Sequence, residues 1–289
     1  MTCDISQTNA MRAEMLTQAL PYLQKYRGKV VAIKYGGNAM KSEELKRLVM
    51  GDAVLLNMVG IKVVLIHGGG PEITDMLSRV GKKSEFVDGL RVTDKETADI
   101  VQMVLAGKVN KDLVNILENA GGRAIGLSGI DGHLLEAVPK DERLGFVGEI
   151  SDINIDIVRD VLEKDYIPVI STVGCDKQGN VYNINADTAA ARIAGTLGAE
   201  CLIMMTDTRG VLERQDDPES LIRKIYVSDA RHLMNQGIIT GGMIPKVECC
   251  IEAIRRGVKK VFVLDGRVPH CALLEIFTDE GMGTMFVGG

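Results

Sequence analysis

Two short runs of β-branched and apolar residues, 30–33 and 62–66, each stop at glycines and are each followed by a stretch of helical periodicity. That repetition limits the fold more than any other feature of the chain. Strands buried on both faces and joined by helical crossovers build parallel sheets, in which successive strands end along one edge. Gly36-Gly37 and Gly68-Gly69-Gly70 therefore share that edge, where open α/β sheets bind their ligands. Consecutive glycines leave backbone N–H groups unobstructed, which suits phosphate oxygens, and Lys34 adds a positive charge at the end of the first run. Taken singly, Gly36-Gly37 is equally a tight turn and Lys34 a solvated side chain. Two such turns after successive strands favour a shared ligand.

The periodicity predicts helices over 43–58, 72–80, 94–105 (capped by Thr93 or Asp94), 110–120, 157–164, 188–197, 228–236 and 247–256. Strands are expected at 124–127, 167–172, 201–205 and 260–264, a β segment at 145–155, a hairpin or loop at 86–93, a hairpin around 176–180 and a polar loop at 215–220. The N-terminal stripe over 10–26, with Met11 and Met15 among its apolar positions, is interrupted by Pro21, which predicts a break near Leu20. Residues 270–285 read as an irregular tail. Alternation of strands and helices implies a three-layer α/β/α sandwich with a mainly parallel central sheet.

With 289 residues, 46% of them hydrophobic, the chain can bury a substantial core. No apolar run reaches the ~18 residues needed to cross a bilayer, and no secretory leader is evident, so a soluble cytoplasmic protein is expected. A net charge of −5 without a basic tract gives nucleic acid no electrostatic footing. Six scattered cysteines without C-x-x-C spacing read as reduced thiols. Four histidines without paired ligand spacing argue against zinc, so any metal is expected to arrive with a nucleotide.

Five segments in order, Ile33-Lys34-Tyr35-Gly36-Gly37-Asn38-Ala39-Met40, His67-Gly68-Gly69-Gly70-Pro71, Gly89-Leu90-Arg91-Val92-Thr93, Tyr182-Asn183-Ile184-Asn185-Ala186-Asp187-Thr188 and Gly241-Gly242-Met243-Ile244-Pro245-Lys246, resemble the acetylglutamate-phosphorylating branch of the amino acid kinase family. The resemblance runs from Lys29 to Met285. It implies phosphorylation of the γ-carboxylate of N-acetyl-L-glutamate by ATP, a step of arginine synthesis, with Mg2+ carried by the nucleotide. Lys34 and Lys246 match the family's two catalytic lysines and Asp187 the carboxylate that holds them, although Asp187 would also serve as N-cap of a helix beginning at Thr188. Gly36, Gly37, Gly69 and Gly70 match the phosphoryl and substrate loops, and Arg91 and Asn183 match substrate residues. Arg91 also reads as an ordinary loop charge. Asp207, Gly210, Val211, Leu212, Ile239 and Thr240 match the nucleotide site, whereas Arg209 reads equally as a solvated charge.

The resemblance also implies an acetylglutamate-binding lobe at 29–180, an ATP-binding lobe at 181–289 and a helical oligomerisation extension at 1–28. The segment with Tyr22 is similar to a mobile helix that links dimers into a hexamer, a trimer of dimers. Tyr22, His270, Glu275 and Gly281 match an arginine-effector signature, with feedback inhibition as the implication. Cys201 departs from it, standing where arginine-sensitive relatives often carry a basic residue. Some members of the family also bind a PII-type regulator, on which the residues are silent. Two other readings stay open: another amino acid kinase with a carboxylate or carbamate acceptor, and an arginine sensor without turnover.

Overall fold

A computed structural model of the chain describes residues 13–14, 16–37, 40 and 42–289. The predicted apolar positions Met11 and Met15, together with Asn38 and Ala39, lie outside them. The first half runs α1 (Leu20–Tyr26), β1 (Val30–Tyr35), α2 (Glu43–Met58), β2 (Lys62–His67), α3 (Gly70–Arg79), β3 (Phe86–Val87), β4 (Leu90–Arg91), α4 (Lys95–Gln102), α5 (Asn110–Asn119), β5 (Ala124–Ser128), β6 (Leu135–Pro139) and β7 (Val147–Ile153). It continues through α6 (Asp156–Glu163), β8 (Ile167–Ser171), β9 (Val173–Cys175), β10 (Val181–Ile184), α7 (Ala186–Leu197), β11 (Cys201–Thr206), β12 (Lys224–Tyr226), α8 (Ala230–Asn235), α9 (Met243–Arg255), β13 (Lys260–Asp265), α10 (Cys271–Phe277) and β14 (Thr284–Val287).

Eight strands form one sheet in the order β12-β14-β13-β11-β1-β2-β8-β5, and only the β13–β14 pair is antiparallel. β6, β7, β9 and β10 close into a small barrel beside it. Alternation along the central strands divides the interior in two. Val31, Ile33 and Tyr35 of β1 pack into one core with Val63 and Leu65 of β2, while Ala32, Val64 and Ile66 face the other. The second core contains Ala189, Ala190 and Ala191 of α7, whose small side chains let this helix lie close to β1. Lys34 has the parity of Ala32, so its Cβ leaves β1 on the α7 side.

The break near Leu20 is present: α1 starts there, with Pro21 in its first turn, where a missing N–H costs no helical hydrogen bond. Other expectations need correction. The helices predicted at 94–105 and 110–120 are one helical run, joined by a π segment, Met103–Val109, that buries Val104, Leu105 and Val109 and does not break at Gly107. The helix predicted to begin at Thr188 begins at Ala186, and its cap is Asn185, whose side chain accepts from the N–H groups of Asp187 and Thr188 at 3.0 Å each. Asp187 is thus free of capping duty. The helix predicted from Val247 begins at Met243, because Pro245 falls in a first turn whose N–H groups have no helical partner. The supposed tail holds α10 and β14, and β6 was not anticipated. Among the described residues the cysteines are free and buried, and no helix is long and apolar enough to cross a membrane.

His67, at the end of β2, is wholly buried, and burial pushes its imidazole down to about 4. A folded-state value below the unfolded one gives stability that is present above about pH 6.5 and lost as pH falls towards about 4. Urea unfolding should lose ~2 kcal/mol from this residue between pH 7 and pH 5. A His67→Asn variant with an unchanged slope over that interval would contradict this.

Candidate active site

Both glycine turns open on one cavity of about 220 Å3 whose wall includes Lys34, Gly36, Gly37, Gly69, Gly70, Arg91, Asn183 and Asp187. A side chain on Gly69 would collide with its surroundings, and one on Gly36 would be tight. A Cβ on Gly69 would lie 2.6 Å from Leu105 Cδ2, and one on Gly36 would lie 3.1 Å from Lys34 Nζ.

Arg91 reaches the cavity from the β3–β4 hairpin, whose turn residues Asp88 and Gly89 both have positive φ. Its guanidinium is buried, donates to Gly70 O at 3.0 Å, Thr74 Oγ1 at 2.8 Å and Ser84 Oγ, and lies over the Phe86 ring. None of these partners is charged. Among the described residues no carboxylate lies within ion-pair distance of it. Asn183, on β10, donates to Thr93 Oγ1 at 3.4 Å.

Asp187 binds two lysines from different elements. Lys34 Nζ is 2.8 Å from Oδ1, and Lys246 Nζ is 3.0 Å from Oδ2. Lys34 comes from the end of β1, Asp187 from the first turn of α7 and Lys246 from the first turn of α9. Burial alone would raise the Asp187 carboxyl, but the two ammonium groups outweigh it and hold it at about 2. Burial likewise opposes the charge on Lys246, and Asp187 more than offsets it, so its pKa is raised.

Lys246 also lines a second cavity, of about 380 Å3, with Asp207, Gly210, Val211, Leu212, Thr240 and Met243. Lys246 therefore stands between the two. Gly210 has φ 144 and no room for a side chain, since a Cβ would meet Thr284 Oγ1 at 2.5 Å, and Val211 N–H donates to that same hydroxyl. The side chain of Ile239 is buried in the core, and Ile238 contributes to the cavity wall. Gln215, assigned to a polar loop, reaches Thr240 Oγ1 at the cavity rim, a contact no local pattern announces. Arg209 is half-exposed and pairs with Glu219, outside this wall.

The residues matched to an effector site divide. Tyr22, Glu275 and Gly281 line a third hollow of about 240 Å3, together with Lys25, Lys260 and Arg223. Glu275 Oε2 accepts from the N–H groups of Met282 at 2.6 Å and Gly283 at 3.2 Å, and Gly281 has φ 62. His270 is not among the residues that line this hollow. Its Nδ1 lies 2.6 Å from Asp52 Oδ1 and ties the start of α10 to α2. Cys201 is fully buried in β11, beside Lys260 in register, and adds no charge to the hollow.

The amino acid kinase family model matches residues 29–265. The acetylglutamate kinase of Brachyspira hyodysenteriae is 56% identical over 281 residues, 96% of this chain and 98% of that one. The acetylglutamate kinase of Nostoc sp. is 51% identical over 285 residues, 98% of this chain and 96% of that one. Among solved structures, N-acetylglutamate synthase from Neisseria gonorrhoeae, complexed with coenzyme A and N-acetyl-glutamate, superposes with a TM-score of 0.83 at 25% identity, covering 96% of this chain and 63% of that one.

Removing Asp187 leaves the Lys34 ammonium buried without a counter-charge. Asp187→Ala should cost about 3 kcal/mol in urea unfolding. Adding Lys34→Met should recover part of that loss, and strict additivity of the two changes would show that the charges are not coupled.

Proposed function

Because the chain belongs to the amino acid kinase family, we propose that it transfers the γ-phosphoryl group of ATP to the γ-carboxylate of N-acetyl-L-glutamate. The observation that carries this reading is the Lys34–Asp187–Lys246 bridge between a glycine-lined cavity and a larger, more apolar one. The names of relatives at 51–56% identity over nearly the whole chain support the substrate. In this reading residues 29–180 form the acetylglutamate lobe and residues 181–289 the ATP lobe.

The acceptor's γ-carboxylate is ionised at neutral pH, so it needs no general base. Asp187 suits that chemistry, because a carboxyl held at about 2 with both oxygens on ammonium groups organises charge and does not collect protons. A carboxylate oxygen forms a bond to the γ-phosphorus while the bond to the bridging β–γ oxygen breaks, releasing ADP and leaving an acyl phosphate. Charge on the transferring oxygens is met by Lys34 and by N–H groups of Gly36, Gly37 and Gly69, and charge on the leaving ADP by Lys246. Arg91 and Asn183 hold the acceptor, the guanidinium gripping its α-carboxylate. Asp207, Gly210, Val211, Leu212 and Thr240 hold the nucleotide. Mg2+ would be held mostly by phosphate oxygens of the ATP and by waters, and no residue is assigned to it.

The third hollow supports an arginine effector. Lys25, Lys260, Glu275 and Asp279 in its lining offer both signs of charge, which suits a molecule bearing both a carboxylate and cationic groups. Exposed Leu16 and Leu20 on the N-terminal segment support packing against another subunit, in a dimer or a hexamer, with a cytoplasmic enzyme as the setting. Sedimentation velocity with and without arginine tests the assembly.

ADP release with MgATP should require N-acetyl-L-glutamate and fall as arginine is titrated. Glutamate, aspartate or carbamate supporting equal turnover would overturn the substrate, and indifference to arginine would overturn the effector. Lys34→Ala and Lys246→Ala should each lower kcat by at least about tenfold without unfolding the chain. Near-normal turnover in either would remove that lysine from the chemistry.

A further inference from the structure

His67 is wholly buried beneath the second glycine turn and touches no cavity, yet its ring is committed at both nitrogens. Nδ1 lies 2.8 Å from Gly68 O, and Nε2 lies 3.1 Å from Asn110 Nδ2. The orientation of the Asn110 amide is set by its other neighbours. Nδ2 also faces the carbonyls of Val169 at 2.8 Å and Leu127 at 3.1 Å, and Oδ1 accepts from Lys111 Nζ at 3.1 Å. These two carbonyls use both amide hydrogens, so it is the Gly68 carbonyl that fixes the tautomer: a carbonyl oxygen only accepts, and Nδ1 at 2.8 Å must donate to it. The proton is then on Nδ1, and Nδ1–H donates to the Gly68 carbonyl.

Peptide planarity carries this anchor to the next residue. In a trans peptide the C=O of one residue and the N–H of the next point in opposite directions. His67 has the parity of Val63 and Leu65, on the sheet face where Asn110 lies, while Lys34 and Asp187 belong to the opposite face. Holding the Gly68 carbonyl towards His67 therefore turns the Gly69 N–H towards the face of Lys34 and Asp187. We propose that His67, as its Nδ1–H tautomer, is the positioning residue of this turn: it anchors the Gly68 carbonyl and so aims the Gly69 N–H at the phosphoryl group in transfer. The catalytic half of this statement rests on the phosphotransferase reading above; the anchor itself does not.

Two measurements test it. In the protein labelled with 15N at the imidazole rings, the His67 resonances, assigned by their loss in His67→Asn, should show a protonated Nδ1 and an unprotonated Nε2. The reverse pattern overturns the anchor whatever the enzyme does. Kinetics separates positioning from packing, because glutamine reproduces the Nε2 end of the ring and asparagine the Nδ1 end. His67→Gln should keep the Asn110 contact, lose the Gly68 anchor and lower kcat about tenfold or more, with KM for both substrates within about threefold. His67→Asn should keep the donor to Gly68 and retain most of kcat, despite an equal or greater loss of thermal stability. Parent-like kcat in His67→Gln, or equal losses in the two variants tracking their stability, overturns the proposal. Absence of turnover in the parent protein would instead refute the phosphotransferase reading, and the tautomer would then decide the anchor by itself.

Discussion

The two ion pairs of Asp187 are the interaction on which the rest of the structure depends. Three charged groups gathered in a largely buried space would each bear a desolvation cost, and one anion between two cations offsets it only if all three are held at contact distance. β1, α7 and α9 supply one group each. The packing of α7 between β1 and α9 is therefore also the assembly of the site. The alanines of α7 bring its first turn close enough to the sheet for Asp187 to reach Lys34, and Asn185 satisfies the helix end without drawing on Asp187.

Around that centre the glycine backbone is closely confined. Gly69 has no room for a side chain because Leu105 of the π segment stands against it, and Gly36 has little because Lys34 does. The glycines are demanded as much by neighbours as by a ligand. Arg91 shows the complementary device, in which a buried cation is fixed by neutral acceptors and an aromatic face so that its charge stays free for an anion. The second cavity differs in kind: Val211, Leu212, Ile238 and Met243 give it apolar surface suited to a flat ring system, with Lys246 at its border with the first.

A good deal was legible in the chain before any coordinates. Unbroken runs of β-branched and apolar residues marked β1, β2, β8, β11 and β13, since such runs suit a strand covered on both faces. Pro21 marked the break before α1. The glycine turns and Lys34 followed from strand ends alone, whereas Lys246, Asp187 and Arg91 became candidates through motifs whose order along the chain resembles a family. Misreadings came where a local signal had two meanings. The stretches 94–105 and 110–120 looked like two helices but are joined by a π segment, and Asp187 looked like a cap although Asn185 two residues earlier does that work. Ile239 and His270 were placed by motif, but their side chains are directed by packing, into the core in one case and onto Asp52 in the other.

What the sequence by itself determined is the central strands, most of the helices between them and the edge on which their ends gather, because hydrophobic pattern and glycine placement act over a few residues and survive without tertiary context. What only the tertiary structure decided is which groups meet. Lys34 and Lys246 are separated by most of the chain yet share one carboxylate, and the Asn110 amide in α5 is oriented by carbonyls of two other strands. Charge pairing and proton placement depend on distances of about 3 Å, and no local rule of sequence reaches across a sheet to set them.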